Sequence, residues 1–158
     1  LAVTIFYFLA GLRLGAGAFF TACVCLFITC FTSSAIGWFI GVAAEGPVLA
    51  KEISKSMTIP FLLVMGLLKH EEEISDILIP FKSLSWLRYG FQALMINEFK
   101  DLELDCGDEE CPYNGTTILL DMGINPNDLW WPNMACNFAI GLGFAVMANF
   151  LLAYKTRQ

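Results

Sequence analysis

The stretch "FFTACVCLFITCFTSSAIGWFIGVA", Phe19 to Ala43, decides the class of fold, because it lies in a run from Leu14 to Ala44 without a single charged residue. About 20 apolar residues in a helix span a hydrocarbon core of about 30 Å, and this run is longer. Open strands leave backbone groups unsatisfied in lipid, so the spans are read as helices. A second charge-free run, Leu129 to Tyr154, repeats the signal.

Working outward, Pro132 to Tyr154 forms the next clearest span. Val48 to Leu68 is a third, with Lys51, Glu52 and Lys55 crowding its first turns and Pro60 in its middle. The lysines are expected to snorkel towards headgroups, and Pro60 to kink the helix. Leu1 to Leu12 opens directly on apolar residues and is read as the far end of a span that starts upstream. The whole composition agrees: of 158 residues 57% are hydrophobic and 15% charged, with a mean hydropathy of +0.64.

Basic residues near span ends favour the cytosol. Lys155 and Arg157 therefore put the tail 155–158 inside, and alternation of the three full spans leaves Lys69 to Trp131 outside. Only Arg13 sits on the wrong side. The outer segment carries most of the acids behind the net charge of −6. Ile77 to Phe99 within it is apolar enough to dip back into the membrane, whereas Lys100 to Trp131 is polar, with turn signals at Cys106-Gly107, Asn114-Gly115 and Asn125-Pro126. No basic stripe exists for a nucleic-acid partner.

Cys106 and Cys111 in the acidic loop, beside the sequon Asn114-Gly115-Thr116, point to an oxidising, glycosylating compartment, with a disulfide internal to the chain or between subunits. A metal site is not expected, since zinc wants four ligands and the single histidine, His70, is distant in sequence. Cys23, Cys25, Cys30 and Cys136 fall inside apolar spans and are read as packing residues. Gly11 to Gly15 and Gly37 to Gly41 have the small-residue spacing that lets membrane helices approach. The run Lys69 to Asp76, "KHEEEISD", reads as a solvated cap. There is no glycine-rich phosphate loop and no nucleophile elbow, so these residues by themselves are not expected to form an enzyme.

Several stretches resemble one family: "TIFYFLAGL" (Thr4–Leu12), "AFF" (Ala18–Phe20), "GLL" (Gly66–Leu68), "RYGFQAL" (Arg88–Leu94) with "NEF" (Asn97–Phe99), the cysteine-bearing loop, and "GINPNDLWW" (Gly123–Trp131). Together they resemble the C-terminal half of the membrane domain of a G-subfamily (White/multidrug-resistance type) ABC half-transporter. The resemblance implies a six-helix membrane domain, here from late in the third helix onward, that dimerises with an identical or different half-transporter. It also implies export of lipids, sterols, pigment precursors or drugs, driven by ATP and Mg in an ATPase domain encoded elsewhere in the protein. The host would be the plasma membrane or another secretory-pathway membrane.

The resemblance further implies that Ile59 and Leu62 face a substrate cavity, that Leu67 and Leu68 gate its outer end, and that Arg88, Tyr89, Gly90 and Phe91 belong to a re-entrant helix. Arg88 would pack its stem on Trp86, Tyr89 or Phe91 while its guanidinium reaches water, helix carbonyls or a carboxylate such as Glu98; an interfacial anchor is the other reading of this arginine. A membrane receptor or scaffold that binds a partner through the acidic loop, or an inactive truncated transporter, is the alternative to an exporter.

Overall fold

The computed structural model describes residues 2–9, 12, 15–64, 85–100, 102 and 114–157. Among the described residues the chain forms six helices: α1 (Ala2–Leu9), α2 (Ala16–Ala43), α3 (Pro47–Val64), α4 (Trp86–Phe99), α5 (Gly115–Asp121) and α6 (Trp130–Lys155). Leu67, Leu68, His70, Cys106 and Cys111 lie outside the described residues.

At a rise of 1.5 Å per residue, α2 and α6 are about 42 Å and 39 Å long, enough to cross a bilayer with its interfaces. By length and composition these two helices qualify as membrane spans among the described residues. Helix α3 covers the stretch read as a third span as far as Val64 and runs through Pro60 without a break, but with Lys51, Glu52 and Lys55 its described part is less apolar and is not among the helices that qualify as spans.

Paired contacts fix the directions. Ring pairs Phe31–Phe138 and Phe39–Phe144 each lie 5.5 Å apart between centroids, and at the far end Lys155 Nζ donates to the Val42 carbonyl at 2.6 Å. Sequence numbers rise together, so α2 and α6 run parallel. Helix α4 runs against both: Trp86 Nε1 donates to Ser33 Oγ at 2.9 Å, and eleven residues on, Asn97 Nδ2 donates to the Ala18 carbonyl at 3.0 Å. Helix α3 turns back on α2 through Ala44–Gly46, and its Phe61 joins Ile36, Ile40 and Trp86 in one apolar cluster.

The bundle buries polar groups among its apolar clusters while leaving large apolar side chains on the outside. Thr32 and Asn137 are fully buried between α2 and α6, while Phe27 is 75% and Phe150 76% exposed. Water would drive that arrangement inside out, and hydrocarbon does not, because packing and interhelical hydrogen bonds hold membrane helices together. Close approach to α2 occurs at two glycines, while a third, Gly115, sits against the Phe99 carbonyl at the end of α4. A Cβ on Gly141 would come within 2.8 Å of Thr32 Oγ1, and one on Gly90 within 2.6 Å of Thr29 Oγ1. By contrast, nothing lies within 4 Å of a Cβ built on Gly37 or Gly41. The expected glycine pair therefore faces away from the described helices.

Helix α5 has no counterpart in the sequence reading. It stops at Gly123, the one described residue type that tolerates its φ of 73° without strain. The Ile124 N–H then bonds the Leu119 carbonyl at 2.8 Å and the Gly123 N–H the Leu120 carbonyl at 2.9 Å, with Ile124 packed in the same cluster as Leu119. This is a Schellman cap with its apolar contact. The expected turn at Asn125-Pro126 follows, where Asn125 Oδ1 accepts from the Asn127 N–H at 3.0 Å.

Candidate functional site

Helix α3 attaches to the bundle through one side. Phe61 is buried against Trp86, with ring centroids 4.7 Å apart, and Met57 and Ala50 pack on the same cluster. Three residues separate Ile59 from Leu62, so both project from one flank of the helix. That flank is uncovered: Ile59 is 62% and Leu62 41% exposed. Lys55, one turn before Ile59 on the same stripe and paired with Glu52 at 3.1 Å, bounds this surface at one end; its aliphatic part recognises a ligand by burial and selects weakly among greasy shapes. Leu67 and Leu68 lie outside the described residues.

Helix α4 begins beside Phe61, level with Ser33 deep in α2, and climbs to the α2 N-terminus. Ser85 starts it, its Oγ accepting from the Arg88 N–H at 3.2 Å, which satisfies one of the donors a helix start leaves open. Arg88 is half-buried, and its guanidinium carbon lies 5.9 Å from the Tyr89 ring centroid, within the range of a cation–π contact. About 15 Å of helix rise separate Arg88 from Glu98. Gly90 sits on Thr29, and Phe91 is half-buried. The four residues of the motif thus occupy the first two turns of a helix packed on α2 and α6.

Where α2, α4 and α6 meet, side chains form a polar node that sequence reasoning missed. Asn137 Nδ2 donates to Thr29 Oγ1 at 3.1 Å, Thr29 Oγ1 donates to the Cys25 carbonyl at 2.8 Å, and Thr32 Oγ1 reaches the carbonyls of Ile28 at 3.1 Å and Asn137 at 3.0 Å. Among the described residues, Asn137 Oδ1 is buried without a hydrogen-bond partner. The signal available was two threonines three apart inside a span, and three asparagines, Asn133, Asn137 and Asn149, in another, of which only the middle one meets them. The thiols of Cys23, Cys25, Cys30 and Cys136 are free; Cys25 is buried and packs with Ala93 and Met134, as read from the sequence, whereas Cys30 and Cys136 are exposed and do not pack in the core. Among the described residues no group of His, Cys, Asp and Glu could hold a metal.

Asn114 stands exposed at the start of α5, in an extended conformation, and its side chain makes no capping bond. The main chain beside it is tied down, the Gly115 N–H donating to the Leu102 carbonyl at 3.0 Å.

Two span-length helices with a hydrogen-bonded polar interior and a lipid-compatible exterior define a helical domain of an integral membrane protein. The comparisons with known proteins say which one. The sequence model of the ABC-2 type transporter matches residues 1–99. The chain is 29% identical over 157 residues to Protein white of Ceratitis capitata, covering 96% of this chain and 23% of that protein. It is 33% identical over 129 residues to ABC transporter G family member 8 of Dictyostelium discoideum, covering 77% and 20%. With the Broad substrate specificity ATP-binding cassette transporter ABCG2 of Sus scrofa it shares 31% over 152 residues, covering 90% and 19%. The chain belongs to the ABC-2 type transporter family, and its relatives are white and G-family ABC transporters. It spans about a fifth to a quarter of the length of these relatives.

Proposed function

We propose that this chain is the membrane-embedded, substrate-contacting part of an ATP-driven exporter of lipids, sterols, pigment precursors or hydrophobic xenobiotics, working as a homo- or heterodimer. The uncovered aliphatic flank of α3, with Ile59 and Leu62, carries the reading. A helix anchored on one side to a bundle and bare on the other suits a cavity wall shared with a second subunit. Leu67 and Leu68 close that cavity towards the outside, and each leucine withdrawn from water contributes about 1.5 to 3 kcal/mol to closure.

In this reading α4 is a re-entrant helix, and Lys155 and Arg157 mark the cytosolic end. The segment 69–131 is extracellular, with Asn114 glycosylated and Cys106 and Cys111 in a disulfide. The printed name of the Sus scrofa relative, broad in substrate specificity, fits a wall that discriminates little. ATP and Mg would act in an ATPase domain encoded elsewhere in the full-length protein; the residues of this chain form no phosphate loop. The reading frame upstream tests the proposal: it must encode G-x-x-x-x-G-K-[ST], and a frame without it leaves the receptor or scaffold reading.

A further inference from the structure

At the end of the bundle away from Lys155, a cavity of about 330 Å³ opens between the starts of α2 and α6 and the end of α4. Ala18, Asn97, Leu129 and Trp130 form part of its wall, and Lys100 and Asp128 bring one positive and one negative charge into it. No ion pair joins the two charges among the described residues. A tryptophan wall at the ends of two span-length helices is the signature of headgroup depth. A second cavity of about 350 Å³ shares Asn97 and reaches deeper along α2, walled by Ala22, Leu26, Leu94 and Met95. Glu98 also borders it beside Asn97, and the rest of its lining is apolar.

A two-charge chamber at headgroup depth, adjoining an apolar chamber one to two turns below, has the polarity of an amphiphile. The presence of both signs excludes a plain anion, which Asp128 would repel, and a plain cation, which Lys100 would repel. We propose that this end of the bundle binds one zwitterionic phospholipid, its phosphate against Lys100, its ammonium against Asp128, and one acyl chain in the deeper cavity. The site is separate from the α3 flank. In the orientation given above its lipid belongs to the outer leaflet, yet the binding itself depends neither on that orientation nor on transport.

The test uses the full-length protein in nanodiscs of equal phosphatidylcholine and phosphatidylglycerol, with the lipids that survive mild extraction counted by native mass spectrometry. Phosphatidylcholine should be retained over phosphatidylglycerol. Lys100→Gln combined with Asp128→Asn should lower its retention about threefold to tenfold, the range for two exposed ion pairs, while Lys100→Arg keeps it. Equal retention of the two lipids by the wild-type protein overturns the proposal without recourse to any variant. So does wild-type retention by the neutralised pair. Displacement of the lipid by equimolar glycerophosphocholine would make the soluble headgroup the occupant and also overturn it.

Discussion

The side-chain amide of Asn137 on α6 donates to Thr29 Oγ1 on α2 at 3.1 Å, in the interior of a bundle whose exterior is phenylalanine and leucine. Interhelical bonds of this kind contribute about 0.6 kcal/mol on average and up to about 2 kcal/mol. Because Asn137 Oδ1 is buried without a partner among the described residues, its desolvation offsets part of the gain. Asn137→Ala should therefore cost about 1 kcal/mol, from the lost bond and the vacated volume. Size-exclusion profiles of the heated full-length protein would show a lower midpoint. An unchanged midpoint would remove the node from the account of stability.

Gly90 and Thr29 make a sharper steric case. A Cβ at position 90 meets Thr29 Oγ1 at 2.6 Å and Thr29 Cγ2 at 3.1 Å. Both atoms leave with Thr29→Ala. Gly90→Ala should lower folded yield and thermal stability by about 1 to 3 kcal/mol. Because Thr29→Ala alone also removes the acceptor of Asn137 Nδ2, the test is a cycle: Gly90→Ala should cost less in a Thr29→Ala background than in the wild-type protein, and an equal cost in both would misplace the α2–α4 contact.

The α3 flank predicts a kinetic signature. Ile59→Ala and Leu62→Ala truncate side chains outside the buried clusters of the described residues, so stability should fall by no more than about 1 kcal/mol. Each lost buried methylene costs about 0.8 kcal/mol of ligand contact. Half-saturation for substrate-stimulated ATPase should rise severalfold with the maximal rate nearly kept. Wild-type half-saturation for every substrate tested would take Ile59 and Leu62 out of the cavity. The gate assignment is examined in the same assay: Leu67→Ala with Leu68→Ala should alter the coupling of ATPase to transport, with surface expression near normal.

Orientation can be read from Asn114, whose exposed, uncapped side chain is available to a glycosyl donor. Asn114→Gln should abolish a glycosidase-sensitive mobility shift, and an impermeant thiol reagent should label Cys106 and Cys111 in intact cells after reduction. Labelling only after permeabilisation would invert the topology.

How much of this was legible depended on what the residues have to satisfy locally. The charge-free runs gave α2 and α6 to within a few residues, because lipid forces backbone satisfaction inside one helix. Helix α5 was hidden, since its seven residues are held by a cap at Gly123 and by the packing of Leu119 on Ile96 and Ile124, contacts distant in sequence. Glycine spacing pointed to Gly37 and Gly41, yet the close approaches to α2 fall at Gly90 and Gly141, each set against a threonine. A single small residue opposite a threonine leaves no periodic trace. The aliphatic character of Ile59 and Leu62 was plain from the sequence, whereas their exposure depends on which side of α3 Phe61 pulls onto the bundle.

The central claim is ATP-driven movement of a lipophilic molecule past α3. The most direct measurement is accumulation of a fluorescent lipid analogue in inside-out vesicles containing the full-length protein. The account predicts ATP-dependent, vanadate-sensitive accumulation that is weakened when Ile59 and Leu62 are both replaced by alanine. Binding of the analogue without any ATP-dependent accumulation, across vesicles of several lipid compositions, would contradict it.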